Sequence, residues 1–87
     1  MNLKLAIIHL DMVVETLDLE PGEYTLGRSS KNNIVVQHFS LRPEHGQIFF
    51  KEDRWIYQDL ETEKNTRISN SESISLSEQI SIAPEEF

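Results

Sequence analysis

Cysteine is absent from this chain of 87 residues. That absence excludes a disulfide framework, a zinc–thiolate site and a cysteine nucleophile, and it is typical of the cytosol, where disulfides are rare. No apolar run approaches the ~20 residues that a membrane-spanning helix requires, and residues 1–10 are not followed by the cleavage site of a signal peptide. We therefore expect a soluble, cytoplasmic domain without direct membrane insertion.

Basic residues are scarce too. The chain has eight Lys and Arg residues against fifteen Asp and Glu, which gives a formal net charge of −7. Nucleic acids and anionic membranes attract basic proteins, so neither is an expected partner. At this length the chain has room for one small core, but not for two domains with a catalytic cleft between them.

Helical spacing is also missing, and short strand patterns take its place. Apolar and polar residues alternate in residues 23–26 and again in the serine-rich tail, over residues 73–77 and 80–82. A strand with one wet face requires this alternation. Turn signals such as Pro21-Gly22 separate the runs, which is typical of an all-β sandwich or barrel. Because the connections are too short for parallel crossovers, we predict antiparallel pairing.

The few cations are unevenly distributed. Five of the eight lie in or beside three predicted loops, at residues 28–33, 37–45 and 61–66; they are Arg28, Lys31, Arg42, Lys64 and Arg67. Loops at one end of a sandwich converge in space, so they could form a cationic patch that binds phosphate or carboxylate. The alternative is that these cations only neutralise neighbouring acids, namely Glu44, Glu61 and Glu63.

The order of several segments resembles the forkhead-associated (FHA) domain family. The matching segments are residues 24–30, 32–36, 40–48 and 55–60, and the tail, residues 76–82 with Phe87, is similar to the end of the family pattern. The resemblance implies one β-sandwich domain over residues 1–87, with about ten to eleven short strands. It also implies a non-catalytic module without a cofactor, whose loops at one end recognise phosphothreonine peptides. Since the family's last strand begins near Phe87, we expect an excised or N-terminal part of a longer protein.

The resemblance also assigns candidate site residues by position. The implied ligand-binding residues are Arg28, Ser29, Ser30, Arg42, Lys64 and Asn65. Gly27 and His45 are implied to support the loops, His45 by bracing the middle loop with hydrogen bonds. The expected mechanism is charge-assisted hydrogen bonding to a phosphate or an acidic side chain of a protein partner.

Several positions depart from the family pattern. Arg42 stands where the family has a phosphate-binding Ser, and the next residue, Pro43, has no backbone donor. In the loop that the family writes S-T-N-G-T, Glu63 replaces Thr, Lys64 replaces Asn and Asn65 replaces Gly. Two readings stay open. Arg42 and Lys64 could rebuild an anion site around Arg28, or Glu63 could pair with one of them and repel phosphate, as in the phosphate-independent docking modules of bacterial secretion-system rings.

Four other features complete the sequence-based expectations. His9, His38 and His45 lack metal-ligand spacing, so no metal site is expected. Asp59, at a strand end, is typical of a residue that fixes the following loop. Phe39 could contact a partner or anchor its loop. A missing last strand would leave an unpaired edge beside the first or the penultimate strand, so the chain is expected to be a monomer or a weak homodimer.

Overall fold

The computed structural model describes residues 1–69 and 72–85. It contains nine strands, which are close in number to the ten to eleven expected. In chain order they are β1 (Leu3–His9), β2 (Met12–Leu19), β3 (Glu23–Gly27), β4 (Ile34–Val35), β5 (Gly46–Lys51), β6 (Arg54–Asp59), β7 (Asn65–Arg67), β8 (Ile74–Ser75) and β9 (Ile80–Pro84). The described residues include no helix, so no helix that could cross a membrane occurs among them. The predicted all-β class is confirmed.

The strands form two sheets. One has four strands in the order β2-β1-β9-β8, and the other has five in the order β4-β3-β5-β6-β7. All pairs are antiparallel except β3 with β4, which run parallel through Leu26 with Ile34 and Gly27 with Val35. This exception arises because the loop after β3 returns the chain to the level of Leu26, so that two residues pair in the same direction.

The core lies between the two sheets, because each sheet turns its apolar face inward. The largest fully buried side chains come from both sheets: Leu5, Ile7 and Ile82 from one, Leu26 and Ile48 from the other. The alternation in the serine-rich tail is confirmed as structure, since it forms β8 and β9 and buries the aliphatic side chains of the latter. Burying such side chains is the main driving force for folding.

The sheet edges can be compared with the unpaired edge that was expected beside the first or the penultimate strand. The first strand, β1, lies between β2 and β9, so the edge is not at β1. The β1–β2 hairpin itself covers that side. Among the strands that the structure describes, the penultimate strand, β8, pairs only with β9 and is an edge strand, as is β2 at the other side of the same sheet. Phe87, which the resemblance places near a further strand, lies outside the described residues.

Backbone hydrogen bonds join loops at one end of the sandwich. The β3–β4 loop binds the β4–β5 loop, where the Arg28 N–H donates to the Arg42 carbonyl at 3.0 Å. The β4–β5 loop meets the β6–β7 loop, where the Leu60 N–H donates to the His45 carbonyl at 3.1 Å. The three loops that carry the candidate site residues are therefore neighbours. We call this end of the sandwich the loop end.

Gly46, the first residue of β5, provides a test of the packing beneath the loop end. A Cβ atom at this position would lie 2.3 Å from Cε1 and 2.4 Å from the hydroxyl oxygen of Tyr57, whose ring is buried. We expect Gly46→Ala to destabilise the fold by about 1–3 kcal/mol through overpacking. Urea denaturation measures this. Gly22→Ala is the control, because its Cβ would meet no atom closer than 3.8 Å; an equal loss in both variants would contradict the explanation.

Candidate functional site

Arg28 is the first residue after β3 and reaches the loop end. Its Nε donates to the Leu41 carbonyl at 3.1 Å, which fixes the side chain near its middle. The residue is exposed, and its terminal Nη groups have no hydrogen-bond or ion-pair partner among residues 1–69 and 72–85. A guanidinium held in this way can direct two parallel N–H donors to a phosphate or a carboxylate.

Gly27 is required by the close approach of two loops. A Cβ atom here would lie 2.3 Å from the Pro43 carbonyl oxygen and 2.9 Å from Nδ2 of Asn32. No glycine in the described chain has a positive φ angle, so Gly27 is needed for space and not for an unusual backbone conformation. Its small size allows the β4–β5 loop to lie directly against the end of β3.

Asn32 is a structural residue of the loop end that sequence reasoning missed. Its side chain is 9% exposed, and its Nδ2 donates to the Pro43 carbonyl at 2.7 Å and to the Ser29 carbonyl at 2.9 Å. One amide group thus satisfies two carbonyls and joins the β3–β4 loop to the β4–β5 loop. A lone Asn in a polar loop carries no sequence signal for this role, since most such residues are exposed.

Buried His45 connects the loop end to the opposite sheet. Its Nδ1 accepts the Arg42 N–H at 3.1 Å, and its Nε2 donates to the Leu76 carbonyl, the acceptor 2.8 Å away. This pattern requires the neutral ring with the proton on Nε2. Burial and the neighbouring Arg42 charge lower the pKa of His45 below its usual 6.5, outweighing the Leu76 carbonyl and the nearby acids Asp59 and Glu61.

Arg42 is engaged by protein groups. Its Nη2 donates to the His45 carbonyl at 3.1 Å and to Oδ1 of Asp59 at 3.2 Å, and its Nη1 lies 3.9 Å from a carboxylate oxygen of Glu61. The acids it meets are therefore Asp59 and Glu61, and neither Glu44 nor Glu63 is among its ion-pair partners. Much of its charge is compensated before any ligand arrives.

Asp59 fixes the β6–β7 loop, as its position at a strand end predicted. Its Oδ1 accepts the backbone N–H groups of Glu61 at 2.8 Å and Thr62 at 3.0 Å in addition to Arg42. Burial alone would raise the pKa of this carboxyl group. The Thr62 and Glu61 N–H groups, followed by the Arg42 charge, outweigh burial and hold the pKa below its usual 3.8.

The β6–β7 loop also holds Lys64 and leads into Asn65. Lys64 is exposed, and its ammonium group has no partner among the residues the structure describes. Asn65 begins β7 and is paired with Gln58. The residue of this loop with a positive φ angle is Glu63, at 61°. Its carboxylate has no ion-pair partner in the described chain.

The remaining candidates, Ser29 and Ser30, follow Arg28. The Ser29 N–H donates to the Pro43 carbonyl at 3.2 Å, and its hydroxyl oxygen accepts the Lys31 N–H at 3.2 Å. The hydroxyl proton of Ser29 is left for a ligand, and Ser30 is exposed. The loop end thus combines one held guanidinium, two serines and Lys64.

In the described chain, no group of three or more His, Asp or Glu residues could hold a metal ion.

Comparison with known proteins agrees with this architecture. The family model of the FHA domain matches residues 24–83. An FHA domain from Chlamydia trachomatis has a TM-score of 0.78 at 15% identity, covering 99% of this chain and 100% of that chain. An FHA domain from Arabidopsis thaliana has a TM-score of 0.76 at 21% identity, with 93% and 83% covered.

A third similar structure comes from a study of phosphothreonine-dependent FHA domain interactions. Its TM-score is 0.71 at 13% identity, with 97% of this chain and 99% of that chain covered. No curated protein sequence matches the chain significantly. At these identities the solved structures show a shared fold and do not by themselves transfer a ligand.

Arg42 is expected to stabilise the fold, because it contacts Asp59 at the end of β6. Arg54, at the start of β6, has no ion pair among the described residues. We expect Arg42→Ala to lower the free energy of unfolding by about 1–2 kcal/mol, because two charge-assisted hydrogen bonds are lost and Asp59 loses its cation. Thermal denaturation of both alanine variants measures the difference. Arg54 is exposed and is the matched control; equal melting temperatures for the two variants would refute the assigned role.

The lowered pKa of His45 predicts a loss of stability on mild acidification. The unfolded chain, with a pKa near 6.5, takes up a proton that the folded state resists. The contribution of His45 to the free energy of unfolding is therefore complete above about pH 6.5. It decreases as the pH falls from about 6.5 toward the folded-state pKa. Urea denaturation at pH 5.5 and 7.5 measures the change.

A histidine variant separates this effect from general acid sensitivity. His45→Ala should be less stable at both pH values, since it leaves the Arg42 N–H and the Leu76 carbonyl unpaired, at roughly 1–3 kcal/mol each. It should also lose most of the pH dependence between 5.5 and 7.5. His9→Gln is the control and should keep that dependence. An unchanged pH dependence in His45→Ala would rule out His45 as its source.

Proposed function

The chain belongs to the FHA-domain family, whose members are generally non-catalytic modules that bind phosphoprotein partners, and we propose that its loop end docks a protein partner through an anionic side chain with altered dependence on phosphothreonine. The proposal takes residues 1–87 as one cytoplasmic module of a longer protein. The docking residues are Arg28, Ser29, Ser30, Lys64 and Asn65, with Gly27 and His45 supporting the loops and Arg42 completing the set.

The observation that carries the proposal is the state of Arg28. Its Nε is held by the Leu41 carbonyl, while its terminal nitrogens have no partner in the described chain. A pre-positioned guanidinium loses less side-chain entropy when it forms two hydrogen bonds to an anion. The hydroxyl groups of Ser29 and Ser30 and the ammonium of Lys64 are additional donors at the same end of the sandwich.

The state of Arg42 explains why phosphate dependence should be altered. The family uses a serine hydroxyl here, whereas Arg42 directs its donors to the His45 carbonyl and to Asp59. Pro43 supplies no N–H, and Glu63 adds an unpaired carboxylate beside Lys64 in the described chain. A phosphate, with about −1.5 to −2 charges, gains less from this surface than from one with an uncompensated cation at position 42. A carboxylate, with one charge, loses less binding free energy than a phosphate when the cation at position 42 is compensated.

Two other readings remain distinct proposals. The terminal nitrogens of Arg28, which have no partner in the described chain, favour a genuine phosphothreonine reader in which Arg42 and Lys64 move to the phosphate. The Arg42–Asp59 ion pair at 3.2 Å favours a phosphate-independent scaffold, such as a domain of a secretion-system or membrane assembly, which docks without using an anion. The three readings differ in how affinity depends on the anion and on Arg28.

Peptide titration tests the proposal. We would titrate three degenerate peptide libraries, with phosphothreonine, glutamate or threonine fixed at the centre, against the wild type. The altered-dependence proposal expects phosphothreonine and glutamate libraries to bind within about tenfold of each other, and the threonine library more weakly. Arg28→Ala should weaken both anionic libraries by about tenfold or more, since a charged hydrogen-bonded pair is lost.

Matched variants and outcomes complete the design. Arg54→Ala, which removes an exposed arginine at the other end of β6, should leave all affinities unchanged. A preference above about a hundredfold for phosphothreonine, lost in Arg28→Ala, would replace the proposal with the phosphothreonine reader. Equal binding of all three libraries, unaffected by Arg28→Ala, would replace it with the scaffold.

A further inference from the structure

The exposed large apolar side chains of this chain are concentrated at one corner of the loop end. Among the described residues seven large hydrophobic side chains are exposed, and five of them belong to the β1–β2 hairpin or to the adjacent β4–β5 loop. These five, which we call the hairpin patch, are Leu10, Met12, Val13, Val14 and Phe39, with exposures of 62%, 70%, 58%, 59% and 82%. A concentration of exposed apolar side chains of this kind marks an interaction site.

Two histidines join Phe39 to the hairpin. The rings of Phe39 and His38 stack with centroids 4.6 Å apart, and the ring of His38 lies 4.9 Å from that of His9. His9 is the β1 partner of Met12 and shares its face of the sheet, so the row of rings from Phe39 reaches β2 at Met12. His38 is held by the Ser40 N–H, which donates to its Nδ1 at 3.1 Å. Phe39 therefore lies exposed on an ordered loop, and it does not anchor that loop by burying its own ring.

A β-bulge directs the edge strand toward a groove beside this patch. In the β1–β2 register, Ile7 pairs with Glu15 and Ile8 with Val13, which leaves Val14 as the extra residue. A bulge re-aims side chains, and Val14 lines a shallow groove with Val35 of the other sheet and with His38. The groove lies between edge strand β2 and edge strand β4, where neither sheet has a further strand among the described residues.

The charge around the patch selects its partner. The hairpin part of the patch, residues 10–15, contains no Lys or Arg but two acids, Asp11 and Glu15. Two copies meeting through β2 in antiparallel orientation about Val13 would set Asp11 of each chain opposite Glu15 of the other, which is unfavourable. Anionic lipid surfaces are repelled by the same acids. A protein segment that combines apolar and basic residues is complementary to both the patch and its rim.

From these observations we propose that the hairpin patch is a second docking surface, which binds a protein segment of aliphatic or aromatic residues flanked by Lys or Arg. The segment places apolar side chains against Phe39, Met12 and Val14, and its cations near Glu15 and Asp11. This surface is separate from the anion contact at Arg28, although the β4–β5 loop contributes Phe39 to one and Arg42 to the other.

Selection from a displayed peptide library tests the proposal, because it reads out the residue types that the surface prefers. The probe is a phage-displayed library of random twelve-residue peptides, panned on the whole chain, and the enriched peptides are then synthesised and titrated calorimetrically. We expect enrichment of peptides that combine large apolar residues with Lys or Arg. Phe39→Ala should weaken their binding by about tenfold or more, as expected for an aromatic at the centre of an interface.

Charge and control variants sharpen the readout. Glu15→Lys should weaken the same peptides, while Glu52→Lys, on the β5–β6 turn at the opposite end, should not. Leu60→Ala removes an exposed apolar side chain outside the patch and should leave the affinity unchanged. Arg28→Ala should also leave it unchanged, so failure of this proposal is distinguishable from failure of the proposed anion contact. Circular dichroism verifies that each variant is folded.

Four results would overturn the proposal. One is the absence of apolar-basic peptides from the enriched set, and another is binding that is insensitive to Phe39→Ala. The third is concentration-dependent dimerisation in sedimentation velocity that Phe39→Ala abolishes, which would assign the patch to a second copy of the chain. The fourth is flotation with phosphatidylserine vesicles that the same variant abolishes, which would assign it to a membrane.

Discussion

The imidazole of His45 is the contact on which the loop end depends. It is 2% exposed and joins the Arg42 N–H of one sheet's loop to the Leu76 carbonyl that follows β8 of the other sheet. A single neutral ring therefore satisfies one buried donor and one buried acceptor across the sandwich. With the ring in place, the β4–β5 loop has one position, and that position sets both the Leu41 carbonyl that holds Arg28 and the Arg42 guanidinium that reaches Asp59.

The positions of these loops also determine which arginine has a protein partner and which can contact a ligand, in a chain with a net charge of −7. Arg42 and Asp59 stabilise each other and the β6–β7 loop, so Arg42 acts mainly on structure. Arg28 has its middle fixed and its terminal nitrogens unpaired within the described chain, so it is the cation best placed to act on a ligand. Two arginines in hydrogen-bonded loops thus have different tasks, because only Arg42 has described acids within reach.

How much could be predicted from the sequence differs between the fold and the site. The alternation of the serine-rich tail and the turn signals predicted an all-β sandwich, since period-two burial is a local property. The role of Asp59 was predictable for the same reason. The engagement of Arg42 by Asp59 was not, because that contact joins residues of two loops whose relative position depends on the whole sandwich. The role of Asn32 was missed on the same grounds, because its amide binds the Pro43 carbonyl of another loop. Gly27 was expected to support the loops, but its close approach to the same carbonyl could not be predicted.

The separation of charge along the chain has a consequence for binding specificity. Residues 5–27 contain acids but no Lys or Arg, whereas the three candidate-site loops hold four of the eight cations of the chain. The fold brings the acidic β1–β2 hairpin and the cationic loops to the same end, with the β4–β5 loop between them. Because exposed charges are screened beyond ~8–10 Å in physiological salt, each surface acts only on the partner group directly opposite it. Under the two docking proposals, a partner that contacts both surfaces presents an anion to one and an apolar segment with cations to the other. A uniformly acidic or uniformly basic partner would then meet repulsion at one of the two surfaces.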